Sequence, residues 1–208
     1  PIFWGLMKTF LGTHEVERAV HFYQGFLSHF LPSPWVEQCL FDIGQYYFDK
    51  KEYISAAATF RQFLKTYPES ELEEWVHFMQ GECLFNQKDY LSAITAYHQV
   101  LEEKRKATLE PQVFSRLGYS YFYLKRYDEA IQYWERLLND FPDRPEKNEV
   151  FYWLAETYLL KQDYRKGLGY VDQLREDPTL YPKALNSLGW YHFQKREWKE
   201  ANQYFLKI

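Results

Sequence analysis

The sequence predicts an all-α protein, a solenoid of about six helix–turn–helix units, and three observations predict it. Similar segments return every 37 residues, as in "KEYISAAATFRQFLKTYP", "KDYLSAITAYHQVLEEKR" and "KRYDEAIQYWERLLNDFP". Their apolar residues recur at steps of three and four, which is the period of an amphipathic helix. Proline follows most of these segments, and proline cannot continue a helix without losing a hydrogen bond.

A small residue in the second helix of each unit sets the register of the repeat. Successive copies are 37 residues apart, with a last step of 34, at Ala19, Ala56, Ala93, Ala130, Gly167 and Ala201. This register predicts a single array over 1–208, with units at about 1–33, 37–70, 74–107, 111–144, 148–181 and 182–208. The last unit is incomplete, so we expect the parent protein to be longer and to continue with at least one more helix.

A second small residue lies twelve positions earlier, in the first helix of the unit. It is glycine in four units and alanine in a fifth, at Gly44, Gly81, Gly118, Gly189 and Ala155. Glycine inside a helix costs about 1 kcal/mol relative to alanine, so its use predicts that the backbone of the neighbouring helix passes very close. Bulky residues of the second helix, such as Phe60 and Trp134, would then fill the gap.

The remaining helices and breaks follow in chain order. "VERAVHFY" is the second helix of the first unit, and "FLPSPW" ends that unit. The second and third units turn at "FDKKEY" and "FNQKDY"; "KTYPES" ends the second, and the third has no clear break. Pro111 opens the fourth unit, because the first helical turn tolerates proline, and "NDFPDRP" ends it. The fifth unit carries Gly167 and Val171 in place of alanine and an aromatic residue, and it ends at "REDPTLYP".

The order of large, small and aromatic residues in these units resembles the tetratricopeptide repeat. The fourth unit matches it at Phe114, Leu117, Gly118, Tyr121, Ala130, Trp134, Leu137 and Pro142. The second unit matches it at Leu40, Ile43, Gly44, Tyr47, Ala56, Phe60, Phe63 and Pro68. The common period of this family is about 34 residues. The longer spacing here is similar to bacterial envelope members, such as the lipoprotein subunit of the β-barrel assembly machinery and the Tol–Pal cell-division coordinator.

This resemblance implies a right-handed superhelix with a concave groove that binds a protein or peptide segment. Residues of the first helices line that groove in the family, and aromatic side chains predominate among them here. The implied groove residues are Phe41, Gln45, Phe48, Trp75, Phe78, Glu82, Phe85, Tyr119, Phe122, Tyr123, Tyr152, Glu156, Trp190 and Phe193. Large exposed apolar patches are typical of interaction sites. The alternative for any single ring is burial against the next unit.

The function predicted from these features is a non-catalytic scaffold for protein–protein interaction, acting in bacterial cell-envelope assembly. No glycine-rich phosphate loop, HExxH or G-x-S-x-G motif occurs, and we expect no metal or other cofactor. The net charge of −4 argues against nucleic-acid binding. No apolar stretch approaches the roughly 20 residues of a membrane span.

Several alternatives stay open at this point. The groove could instead bind glycan, as a module of a polysaccharide export system, or the chain could be a peptide-sensing cytosolic regulator. Self-association is also open. The spacing of the repeat favours the bacterial periplasm or an association with the outer membrane, and the cytoplasm is the alternative location.

Overall fold

A computed structural model describes residues 5–6, 9–10, 12–13, 15–27, 34–102 and 109–208. These residues form eleven α-helices and no strand, which confirms the predicted all-α repeat fold. The helices are α1 (Val16–Leu27), α2 (Pro34–Asp49), α3 (Tyr53–Thr66), α4 (Glu73–Asn86), α5 (Tyr90–Glu102), α6 (Glu110–Tyr123), α7 (Tyr127–Asp140), α8 (Lys147–Leu160), α9 (Tyr164–Asp172), α10 (Leu180–Gln194) and α11 (Trp198–Phe205). The even-numbered members are the first helices of the predicted units, and the odd-numbered members are the second helices.

The chain divides into two compact units, residues 1–113 and 114–208. In the first, consecutive helices pack against each other from α1 to α5. In the second, α8 contacts α7, its own partner α9 and the next first helix, α10. The start of the first predicted repeat and the links at 28–33 and 103–108 lie outside the described residues. The single array with its repeat boundaries, and the right-handed superhelix, stay predictions.

Each described turn from a first helix to a second helix has the same backbone geometry. One residue per turn adopts a left-handed conformation with φ between 60° and 65°, at Lys51, Lys88, Lys125, Gln162 and Arg196. In the turn after α6, the Lys125 N–H donates to the Phe122 carbonyl at 2.8 Å and the Arg126 N–H to the Tyr121 carbonyl at 2.9 Å. This pair of bonds is the Schellman motif, which ends a helix and satisfies its last carbonyls.

The glycines of the first helices make room for aromatic rings. A Cβ atom on Gly44 would lie 2.6 Å from the Phe60 ring, and one on Gly81 would lie 2.5 Å from the Tyr97 ring. Gly118 faces Trp134 and Gly189 faces Phe205 in the same way. The prediction of a close neighbouring backbone was therefore wrong, because the nearest atoms belong to side-chain rings. The prediction that bulky residues fill the gap was right.

The rings that face these glycines form the centre of each helix pair. Phe60, Tyr97 and Trp134 are fully buried. In the fifth repeat the position of the glycine holds Ala155, and the facing position holds the smaller Val171; both belong to one buried cluster with Leu188. Small residues on the first helix and large ones on the second helix thus fit together at the centre of these pairs.

Candidate functional site

The predicted groove residues all lie on first helices, and the structure places them in two groups, one in each compact unit. The first group is on α2 and α4: Phe41, Gln45, Phe48, Trp75, Phe78, Glu82 and Phe85. The second group is on α6, α8 and α10: Tyr119, Phe122, Tyr123, Tyr152, Glu156, Trp190 and Phe193.

In the first group, several residues are committed to helix packing. Phe41 is buried against Phe60, with ring centroids 6.1 Å apart, and Phe78 is buried against Tyr97 at 5.9 Å. Glu82 is also buried, and its carboxylate accepts a hydrogen bond from the Tyr97 hydroxyl at 2.6 Å. Side chains with so little exposed surface can support a partner contact only through their neighbours.

Trp75 is the large exposed ring of this first group. Its indole stacks on the Phe78 ring at 5.6 Å, with 16° between the planes. Gln45, one repeat earlier on α2, directs its side-chain amide at the Met79 sulfur at 3.8 Å. Buried Phe78 therefore holds Trp75 in a defined orientation at the surface of α4.

Four of the predicted residues share a contact that sequence reasoning had not assigned to them. Each lies near the end of a first helix and packs on the first aromatic residue of the following second helix. The pairs are Phe48–Tyr53 at 5.4 Å, Phe85–Tyr90 at 5.4 Å, Phe122–Tyr127 at 5.8 Å and Phe193–Trp198 at 5.0 Å. These four residues therefore pack across the turn between the two helices of their pair.

In the second group, Trp153 joins the predicted residues at the centre of an aromatic cluster. Its ring centroid is 5.6 Å from that of Tyr119, 5.1 Å from Phe122 and 5.5 Å from Tyr152. Sequence reasoning missed Trp153 because the equivalent positions one, two and three repeats earlier hold Arg116, Met79 and Asp42, so no periodic signal marks it.

Tyr119 is fixed on one side of this cluster. Its hydroxyl donates a hydrogen bond to the Glu149 carboxylate at 2.8 Å. Burial, helped by that bond, raises the pKa of the Tyr119 hydroxyl above its ordinary value. The hydrogen bond to Glu149 fixes the orientation of the ring.

A cleft of about 230 Å³ lies between α8 and α10. It contains two predicted site residues, Glu156 and Trp190, and its walls also include Leu160, Ser187 and Gln194. Trp190 and Leu160 are both about half exposed at its edge. Among the described residues, no group of three or more His, Cys, Asp or Glu side chains could hold a metal ion.

Family models match two parts of the chain. The model described as "Tetratricopeptide repeat" matches residues 111–144, which is the fourth predicted unit. The chain therefore contains a tetratricopeptide repeat. The model of YfiO, described as "Outer membrane lipoprotein", matches residues 6–91. No curated protein matches the chain.

Three solved structures with the same fold are MamA, PilF and YrrB. A MamA double mutant is 20% identical, covers 82% of this chain and 91% of its own, and has a TM-score of 0.69. PilF of Pseudomonas aeruginosa is 18% identical, covers 99% and 88%, and has a TM-score of 0.63. YrrB, described as "a TPR protein with an unusual peptide-binding site", is 19% identical, covers 88% and 89%, and has a TM-score of 0.66. At these identities the likeness shows the fold.

None of the helices that the structure describes is long and apolar enough to span a membrane.

Proposed function

We propose that this protein is a non-catalytic interaction scaffold in the bacterial cell envelope, and that the exposed rings of its first helices hold a segment of a partner protein. One observation carries the proposal. Among the described residues, the large aromatic side chains that are exposed lie mostly on first helices: Trp75, Tyr123, Trp190 and Phe193, against Trp198 on a second helix. These four and Leu160 are between 39% and 51% exposed.

Such half-exposed rings are suited to anchor a partner. Tryptophan and tyrosine are enriched among the residues that dominate binding energy at interfaces. Trp75 is held by its stacking on Phe78, and Trp190 contacts Phe193 at 5.1 Å and Phe205 at 5.9 Å. Because these contacts already restrict the rings, binding loses little side-chain entropy.

Relatives support both parts of the proposal. YrrB is described as having a peptide-binding site, which favours a peptide segment as the partner. The match to the outer membrane lipoprotein family over residues 6–91 favours a role in the envelope. Neither part requires catalysis.

Site-directed photocrosslinking in cells tests the proposal. A benzophenone amino acid would replace Tyr123 or Phe193 on first helices, which preserves an aromatic ring at each position. The matched controls are Ile54 and Leu91, which lie on second helices and are 76% and 62% exposed. We expect one foreign protein to be captured from both first-helix positions and not from the controls.

If a foreign protein is captured from Leu91 but from neither Tyr123 nor Phe193, the interaction lies on the second helices and the proposal is overturned. If no foreign protein is captured from any of the four positions, the proposal is overturned as well. Fractionation of the crosslinked cells then locates the complex, and a complex confined to the cytoplasm would contradict the envelope assignment.

A further inference from the structure

The cleft between α8 and α10 combines an acidic group with apolar walls. Glu156 is the acidic residue of the lining, and no basic residue lines the cleft in the part of the chain that the structure describes. Two lysines adjoin lining residues in sequence. Lys161 pairs with Asp128, and the Lys195 ammonium lies 4.2 Å from the centre of the ring of Tyr191, which is part of the cleft wall. Neither lysine is an ion-pair partner of Glu156 in the described part of the chain.

The Glu156 carboxyl group has acceptor capacity that the described residues do not use. Its Oε1 atom is buried and has no hydrogen-bond partner among the described residues, and the hydroxyl of Ser187, another lining residue, donates to the Lys183 carbonyl at 3.2 Å. Burial also raises the pKa of this carboxyl above its ordinary value, which is the sign of a charge that lacks compensation. A buried acceptor that is left unpaired destabilises the folded protein.

We infer that this cleft binds a basic side chain of the partner segment, arginine in preference to lysine, with its charged head at Glu156 and its stem against Trp190 and Leu160. This inference rests on the proposed function, because it names the chemistry that one part of the partner must carry. A guanidinium group can bond a carboxylate through two N–H groups and can also stack on an indole face. An ammonium group offers a point charge and lacks the planar surface.

The position of Trp190 favours this occupant over a neutral one. Its ring lies at the edge of the cleft and is half exposed, and it makes T-shaped contacts with Phe193 and Phe205. A cation over an indole is attracted to the negative face of the ring, and the attraction is stronger where the cation is more fully desolvated. A neutral amide of the same shape would keep the apolar contact but would lose both the indole attraction and the ion pair with Glu156.

The test is an NMR titration of the whole 208-residue chain with three short peptides. They are acetyl-Ala-Arg-Ala-amide, the same peptide with lysine, and the same peptide with citrulline, the neutral analogue of arginine. The indole N–H resonance of Trp190, assigned with Trp190→Phe, is the readout. We expect a saturable shift with the arginine peptide, weaker binding of the lysine peptide, and binding at least about tenfold weaker with citrulline.

Two variants distinguish a direct contact with the Glu156 carboxylate from a general effect of the protein's net charge. Glu156→Gln keeps the shape of the side chain, and we expect it to weaken the binding of the arginine peptide at least about tenfold. Glu200→Gln removes the same charge from an exposed position on α11 and leaves the affinity unchanged. An unchanged backbone spectrum away from the cleft shows that each variant is folded.

Equal affinity for arginine and citrulline, arginine binding that survives Glu156→Gln, or a Trp190 resonance that none of the peptides moves would each overturn the inference. The crosslinking experiment separates this failure from failure of the proposed function. If a partner is captured but the cleft shows no preference for arginine, only the inference about the cleft is wrong. If the cleft prefers arginine but no partner is captured, the proposed scaffold function is wrong.

Discussion

Gly118 lies opposite Trp134 in a helix pair, and its lack of a side chain makes room for the indole ring. A methyl group on Gly118 would collide with the indole of Trp134, which is fully buried. In the fifth repeat the larger Ala155 is matched with the smaller Val171. The glycines weaken the helices that carry them, and they are retained at positions where a larger residue would displace an aromatic core.

Replacement of Gly118 by alanine is therefore expected to destabilise the protein. The added methyl group overpacks the contact with Trp134, which costs about 1–3 kcal/mol and exceeds the gain of about 1 kcal/mol in helix propensity. Gly169 is the matched control, because it also lies in a helix but a Cβ atom added there would have no heavy atom within 4 Å. Gly169→Ala should stabilise the protein by about 0.5–1 kcal/mol. Urea unfolding measures both, and a stabilising Gly118→Ala would contradict the packing described for Trp134.

The turn between paired helices is the element that the chain repeats most strictly. Its left-handed residue is lysine three times, glutamine once and arginine once, and never glycine in the five described turns. A left-handed conformation costs a non-glycine residue roughly 1–2 kcal/mol. The hydrogen bonds of the Schellman motif hold the residue there nonetheless.

Lys125→Gly is expected to raise the free energy of unfolding by about 1 kcal/mol, because glycine adopts the left-handed conformation without a steric penalty. Lys125→Ala is the control, since it removes the same charged side chain but keeps the Cβ atom that causes the penalty. Chemical denaturation of the two variants shows whether the gain in stability comes from the backbone conformation or from loss of the lysine side chain. If alanine stabilises as much as glycine, the effect comes from the lysine side chain and the strain assignment is wrong.

At the scale of the whole molecule, two compact units are built from one repeat. The division at residues 113 and 114 falls inside α6, which extends from Glu110 to Tyr123. Unfolding of either part must therefore disturb a helix that contributes residues to both. Stability in repeat proteins is the sum of each repeat and its contacts with its neighbours, so we expect the two units to unfold together.

The cysteines and tryptophans report on the two units separately. Cys39 and Cys83 lie in the first unit, and burial raises the pKa of each thiol to about 12, so the folded protein should resist thiol reagents near pH 8. In a variant with Trp4, Trp35 and Trp75 replaced by phenylalanine, fluorescence reports only the second unit. We expect thiol labelling and fluorescence to give the same urea midpoint. Separate midpoints would contradict the prediction that the two units unfold together.

The sequence by itself determined the helical class, the register of the repeat, and the positions of the turns. These features depend on local periodicity, on proline and on small residues at regular spacing, all of which can be seen in one chain. It also indicated which helices carry the aromatic residues. Phe41 and Trp75, both assigned to the groove from the sequence, looked equivalent at that level.

Only the tertiary structure decided what each of those side chains does. Phe41 is buried against Phe60, whereas Trp75 is exposed on top of Phe78. Trp153 joins the aromatic cluster of the second unit without any periodic signal. Glu156 and Trp190, on the first helices of successive repeats, line one cleft. The physical reason is that burial depends on which side chains of neighbouring helices cover a residue, and one helix alone does not specify its neighbours.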